Sequence, residues 1–135
     1  MRFYSVTVGG MEYQLRLTLS GQKKLKKKHP DTDTISLLMT AATDAEIMAD
    51  VLHEALNWPG NTNQNQNGEQ LYDLMVDDGI CGQEAFAEIA CGIGTASGLM
   101  TEENGQQVLT GIRKVVQTVY GKIGDLIADE TDNPN

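Results

Sequence analysis

The chain has 135 residues, 40% hydrophobic and 21% charged, the size and balance of one globular domain with a single core and not of a disordered segment. Its 10 basic against 19 acidic groups leave a net charge of −9, which argues against a general nucleic-acid binder, and no apolar run approaches the ~20 residues needed to span a bilayer. The charge is polarised along the chain: residues 1–30 carry seven basic groups against Glu12 (+6), and residues 31–135 carry three against eighteen acidic ones (−15).

Met1–Gly10 holds one arginine among Tyr, Ser and Thr and lacks the apolar run of a secretory signal, so a cytoplasmic protein is expected. Met11, Tyr13, Leu15 and Leu17 alternate with Glu12, Gln14 and Arg16, the period-two pattern of a strand with one face on a core. Tyr4, Val6 and Val8 offer a matching face upstream. Gly9-Gly10 between them tolerates the positive φ angles of a two-residue turn, so residues 1–19 read as a β-hairpin. An isolated hairpin is barely stable in water and must pack on something or pair with another chain.

The rest, residues 20–128, reads as a helical body. Ser20 is placed to cap a short helix through the lysines to His29, where Pro30 stops it. Ile35–Ala42 forms a second. Thr43 and Glu46 have capping-box spacing and open a third, with Ile47, Val51, Leu52, Ala55 and Leu56 on one face; Trp58-Pro59-Gly60 ends it. Residues 61–67 have no apolar anchor and read as an exposed loop. Leu71, Leu74 and Met75 mark a fourth helix ending at Asp78-Gly79, and Phe86, Ile89, Ala90 and Ile93 mark a fifth. Thr101 opens the longest, carrying Val108, Ile112, Val115, Val116, Val119, Ile123 and Leu126 at three- and four-residue steps. Gly111, Gly121 and Gly124 lie within it, each costing about 1 kcal/mol of helix propensity relative to Ala, so this helix needs outside contacts. Residues 129–135 read as a flexible acidic tail. The expected fold is α+β, mainly α: one domain over residues 1–128, a β-hairpin on a bundle of five to six helices.

No motif commits the chain to catalysis. His53-Glu54 lacks the second imidazole four residues on that would let one helical face hold zinc, because position 57 is Asn. Gly92, Gly94 and Gly98 miss dinucleotide-loop spacing and follow a helical pattern, so they read, with Ala90, Cys91 and Ala96, as small residues where two helices approach closely. Asp31 and Asp33 lack the glycine of a calcium loop and suit a helix start. Cys81 and Cys91 have no base spaced to activate them and read as small buried hydrophobes. No catalytic residue, metal or cofactor is expected.

Two features are candidates for partner binding. Lys23, Lys24, Lys26, Lys27 and Lys28 place five ammonium groups in six residues, either a solvated, self-repelling face or a surface for an acidic partner, with only Leu25 to anchor the helix. They lack the interleaved aromatics and arginines of nucleic-acid recognition. Trp58, the only tryptophan, is a core plug or an interface anchor.

A hairpin ending in Tyr13-Gln-Leu-Arg-Leu-Thr-Leu19, a lysine-rich helix, then Leu56-Asn-Trp-Pro-Gly60, a polar loop, Gly68-Glu-Gln-Leu-Tyr-Asp73, Val76-Asp-Asp-Gly79 and the Glu84–Ile89 segment resemble the tail assembly chaperones of long-tailed bacteriophages, in the form carried by prophages of Gram-positive hosts. The likeness covers residues 4–100. It implies a non-enzymatic protein of the infected cell that coats the aggregation-prone tape-measure protein, helps recruit tail-tube subunits, and is absent from the finished virion. It also implies a longer frameshifted form, whose junction would fall near residues 129–135. Such a chaperone needs amphipathic helices with exchangeable apolar faces and copies that repeat along the client. The +6 end and −15 body offer an orientation for head-to-tail self-association, and the hairpin edge offers a second route, by sheet extension. The alternative is a structural head–tail connector or tail-completion protein retained in the virion. Membrane and nucleic acid are not expected partners.

Overall fold

In the computed structural model, which describes residues 2–63 and 67–131, the chain opens with an antiparallel hairpin of β1 (Tyr4–Val8) and β2 (Met11–Leu15). Six helices follow: α1 (Leu19–Lys28), α2 (Thr34–Ala41), α3 (Ala45–Leu56), α4 (Gly68–Asp77), α5 (Gln83–Ala96) and α6 (Glu102–Thr131). The architecture is therefore mainly α, with one two-stranded sheet among the described residues. Gly9 and Gly10 turn with φ of 58° and 81°, the left-handed pair that a tight hairpin requires, and set Tyr4 opposite Leu15 and Val8 opposite Met11. Period-two alternation puts Tyr13, Leu15 and, beyond the strand, Leu17 into the core. Met11, beside the turn, remains half exposed.

α3 is the hub. Met48, Val51, Leu52, Ala55 and Leu56 are fully buried, and the helix packs against α1, α2, α4 and β2. α4 approaches it with no side chain between backbones: a Cβ at Gly68 would overlap Ala49 O and the backbone nitrogen of His53. The imidazole of His53 accepts from the Gly68 N–H at 3.2 Å, which seats the start of α4 on α3. α5 packs on β1, α2 and α6. The small residues of α5 serve more than a helix–helix contact. Gly92 leaves room for the Tyr4 ring of β1, Gly94 for Met100 and Leu38, and Cys91 with Thr95 faces Gly105 of α6. The contacts of Gly94 with Leu38 of α2 and of Cys91 and Thr95 with Gly105 of α6 are close approaches of two helices, as the sequence predicts, whereas Gly92 makes room for the hairpin.

The starts of α1, α2 and α3 differ from their sequence expectation by one or two residues, each for a local reason, while Thr101 caps α6 as expected, accepting from Asn104 N at 3.1 Å. Thr18, not Ser20, caps α1, its hydroxyl accepting from Gly21 N at 3.2 Å. Asp33 caps α2, accepting from both the backbone N–H and the hydroxyl of Ser36; these bonds, the backbone one first, hold its carboxyl below the usual range. The Thr43 hydroxyl donates instead to Thr40 O at the end of α2, so Asp44 caps α3 through Ile47 N at 3.1 Å and no Thr43–Glu46 box forms. Cys81 is exposed, against its expected burial, while Cys91 is buried, and burial pushes the Cys91 thiol pKa up. α6 continues through Thr131, past residue 129 where the sequence places a tail; residues 132–135 lie outside the described residues.

In the 61–67 loop Thr62 and Asn67 are exposed as expected, but Asn61 is not. Asn61 is buried; its amide donates to Gln14 O at 3.1 Å and to Leu56 O at 2.8 Å. Asn63 donates to Glu12 O at 3.1 Å, and the Arg16 N–H donates to Ala55 O at 3.0 Å. These bonds occupy the outer edge of β2, so that edge is not free to extend another chain's sheet. Residues 64–66 lie outside the described residues.

Candidate interaction surfaces

The lysine helix is held by little and yet held firmly. Gly21 and Leu25 are its buried residues, and Gly21 brings the α1 backbone close to Glu54 of α3. Lys26, Lys27 and Lys28 sit in the last turn, where the negative end of the helix dipole favours cations. Lys28 Nζ lies 2.6 Å from Asp50 Oδ1, and His29 Nε2 lies 2.9 Å from Asp50 Oδ2. The Asp50 bond is the main cause of a raised Lys28 pKa, with Glu46 and Glu69 adding to it. Burial works against the charged form of Asp50, but the bonds from Lys28 and His29 outweigh it and keep the carboxyl below its ordinary range. One of the five predicted partner-binding lysines is thus engaged within the chain, whereas Lys23, Lys24, Lys26 and Lys27 stay exposed.

Trp58 is only 6% exposed. Its indole donates to Gln14 O at 3.1 Å and its ring stacks on Phe3 at 6.3 Å, with the planes 11° apart. The ring packs inside the molecule, closing the gap between the end of α3 and the hairpin, the place of a core plug.

The surface that sequence reasoning did not single out as a site is α6. Its first half packs on the body: Leu109 is buried in a small cluster with Ala42, Ala87 and Cys91, flanked by Val108 and Ile112. Arg113 Nε meets Glu84 Oε1 at 2.9 Å, tying α6 to α5, though an ion pair this exposed adds little stability. Beyond it, Val115, Val119, Tyr120, Ile123 and Leu126 are all exposed, Tyr120 and Leu126 at 66% each. The signal was present in the sequence as an apolar stripe; what the sequence did not show is that the body ends before the stripe does. Clustered exposed apolar side chains of this kind mark an interaction site, while scattered ones do not.

A groove of about 480 Å³ runs beside the root of α6, lined by Phe3, Tyr4, Glu88, Gln106, Leu109 and Arg113 among others. It is open and mixed in character, and Arg2, Cys91, Thr95 and Glu102 also line it. Among the described residues, no three His, Cys, Asp or Glu side chains are grouped to hold a metal, and no helix is long and apolar enough to cross a membrane. Comparison of the chain with protein-family models, curated proteins and solved structures returned no match.

Proposed function

We propose that this protein is a phage tail assembly chaperone: a non-enzymatic protein of the bacterial cytoplasm that binds and solubilises the tape-measure protein, helps recruit tail-tube subunits, and is left out of the virion. The observation that carries this reading is the second half of α6, a helix standing clear of a well-packed body with Val115, Val119, Ile123 and Leu126 uncovered along it. A binder of a long helical client needs such a face, because helix-in-groove recognition works through apolar anchors at i, i+3, i+4 and i+7. The resemblance of residues 4–100 to tail assembly chaperones supplies the client class. The exposed lysines Lys23, Lys24, Lys26 and Lys27 serve a second purpose in this reading, steering the acidic body of another copy into a head-to-tail arrangement.

Co-expression with the longest neighbouring reading frame, the expected tape measure, tests the proposal. The client's soluble fraction should rise several-fold with the native chain and fall back with an Ile123→Ser, Leu126→Ser double variant. A client equally insoluble with and without the chain would refute the assignment, as would recovery of this chain from purified virions by mass spectrometry. Reversing charge at Lys23, Lys24 and Lys27 should reduce assembly seen by light scattering at low salt and leave the circular dichroism spectrum intact.

A further inference from the structure

The outer edge of β2 is closed, but that of β1 is open. In an antiparallel pair, residues directly opposite either bond to each other or both turn their N–H and C=O outward. Glu12 O bonds to Asn63, Gln14 O to Trp58 and Asn61, and the Arg16 N–H to Ala55 O, so these three residues face away from β1. Their opposites therefore face away from β2: Thr7 across from Glu12, Ser5 across from Gln14, and Phe3 next in the alternation. Among the described residues, no backbone N–H or C=O of Phe3, Ser5 or Thr7 has a hydrogen-bond partner. The open edge carries opposite charges at its two ends. Asp78 accepts from Gly9 N at 3.0 Å beside the turn, and Arg2 stands at the start, lining the groove that β1 shares with α5 and α6. Neither side chain forms an ion pair among the described residues.

We propose that this edge pairs with the β1 edge of a second copy, antiparallel about a two-fold axis at Ser5, to make one four-stranded sheet. Backbone groups set the register. With the axis at Ser5, Phe3 meets the partner's Thr7, Ser5 meets the partner's Ser5, and Thr7 meets the partner's Phe3, so all three outward residues bond. An axis at Val6 would set Phe3 against the partner's Gly9, whose N–H Asp78 already holds. An axis at Tyr4 would carry Thr7 past the partner's Phe3. Side chains agree with the backbone: Tyr4 and Val6, both only partly buried against the core, come to lie opposite each other across the seam, an aromatic and β-branched pair of the kind that stabilises sheets.

Charge sets the direction. Antiparallel pairing brings Arg2 opposite the partner's Val8, one residue from Gly9 and the Asp78 carboxylate bonded to it, and does so at both ends of the seam; Arg–carboxylate bonds are of the strong, charge-assisted kind. Parallel pairing would set Arg2 against Arg2 and Asp78 against Asp78. Of the other charged groups nearby, Glu12 and Arg16 lie on the β2 side, one strand away from the seam. Glu88 and Glu102 share the groove with Arg2, and Arg113 there is held by Glu84. The net charge of −9 on each chain is screened beyond about 8 Å at physiological salt, so contacts at the seam decide. A seam one strand wide falls short of the ~1,000 Å² expected of a stable interface, so the dimer is weak and concentration-dependent. It uses neither the lysines of α1 nor the outer half of α6, and it holds whatever the client's identity.

Sedimentation equilibrium of the full chain tests the pairing over a hundredfold concentration range, with Lys23→Gln, Lys24→Gln and Lys27→Gln removing lysine-driven association. A monomer–dimer equilibrium is expected. Thr7→Pro deletes an outward N–H that the hairpin does not use and should weaken the dimer at least tenfold with the circular dichroism spectrum unchanged. Arg2→Glu should weaken it several-fold, and Arg2→Glu combined with Asp78→Lys should restore it. In a Cys81→Ser background, S5C should couple into a disulfide-linked dimer across the axis, and T7C should not. A monomer at every concentration overturns the proposal, as does a dimer indifferent to Thr7→Pro or an S5C variant that fails to couple. T7C coupling as readily as S5C marks a parallel pair and overturns the assigned direction, and failure of the charge swap to restore pairing overturns the Arg2–Asp78 contact.

Discussion

α1 and the outer half of α6 are both helices with most of their surface in solvent, and they are stabilised in opposite ways. α1 has five lysines and one core leucine, yet it is capped by Thr18, seated through Gly21 and Leu25, and tied at its end by the Asp50 pair. The outer half of α6 has far more apolar surface and far less to bury it against. Local hydrophobicity therefore does not rank how firmly a helix is held. One leucine at the right height against α3 outweighs five apolar residues that overhang the body, because burial stabilises in proportion to area removed from water and not to area available.

The largest test of this contrast strikes at α3, which anchors the body. Gly68→Ala drives a methyl into the α3 backbone, where neither helix can give way cheaply, and should cost about 3 kcal/mol or more, read as a lowered midpoint in chemical denaturation. Leu25→Ala and Ile123→Ala come next as a matched pair. The first removes a buried anchor and should cost about 2–4 kcal/mol, whereas the second, at an exposed site, should change body stability by less than about 0.5 kcal/mol. Equal losses would show that the outer half of α6 folds back on the body.

Smaller effects sharpen the comparison from each side. On α6, Gly121→Ala and Gly124→Ala meet no neighbour and should each gain about 1 kcal/mol of helix propensity, seen as added helical signal with no shift of the main transition. At the end of α1, the depressed pKa of its partner Asp50 on α3 means that its contribution is fully present above the ordinary carboxylate pKa near 3.8 and is lost as pH falls through the lower folded value. Asp50→Asn should therefore flatten the acid limb of stability against pH. The raised Lys28 pKa works at the other end: its share holds below 10.5 and is lost as pH climbs past the folded value.

Most of the element order was legible because it rests on local chemistry. The Gly9-Gly10 turn and the alternation through Leu17 specified the hairpin, and apolar steps of three and four specified the helices. The caps were less legible because Thr18 and Ser20, or Thr43 and Asp44, are equally suitable by type. Which one caps depends on where the preceding chain releases its own hydrogen bonds, as Thr43 shows by bonding back to Thr40. The polar run from Asn61 misled for a related reason. An asparagine amide is as good at closing a strand edge as at facing water, and only the neighbouring carbonyls of Gln14 and Leu56 made Asn61 a buried bridge. Of the candidate site residues, four lysines remain outward, Lys28 is paired within the chain, and Trp58 is enclosed.

The sequence by itself determined the α+β class, the turn and alternation of the hairpin, the apolar faces of α3 and α5 and the uneven charge, since each follows from residue type and spacing along the chain. The tertiary structure alone decided which faces found a partner. The Lys28–Asp50 bond joins residues 22 apart, and the indole of Trp58 reaches Gln14 across 44. The stripe on α6 outruns the helices that cover its beginning. Periodicity says which side of a helix is apolar, but what lies opposite depends on how the other elements are arranged in space.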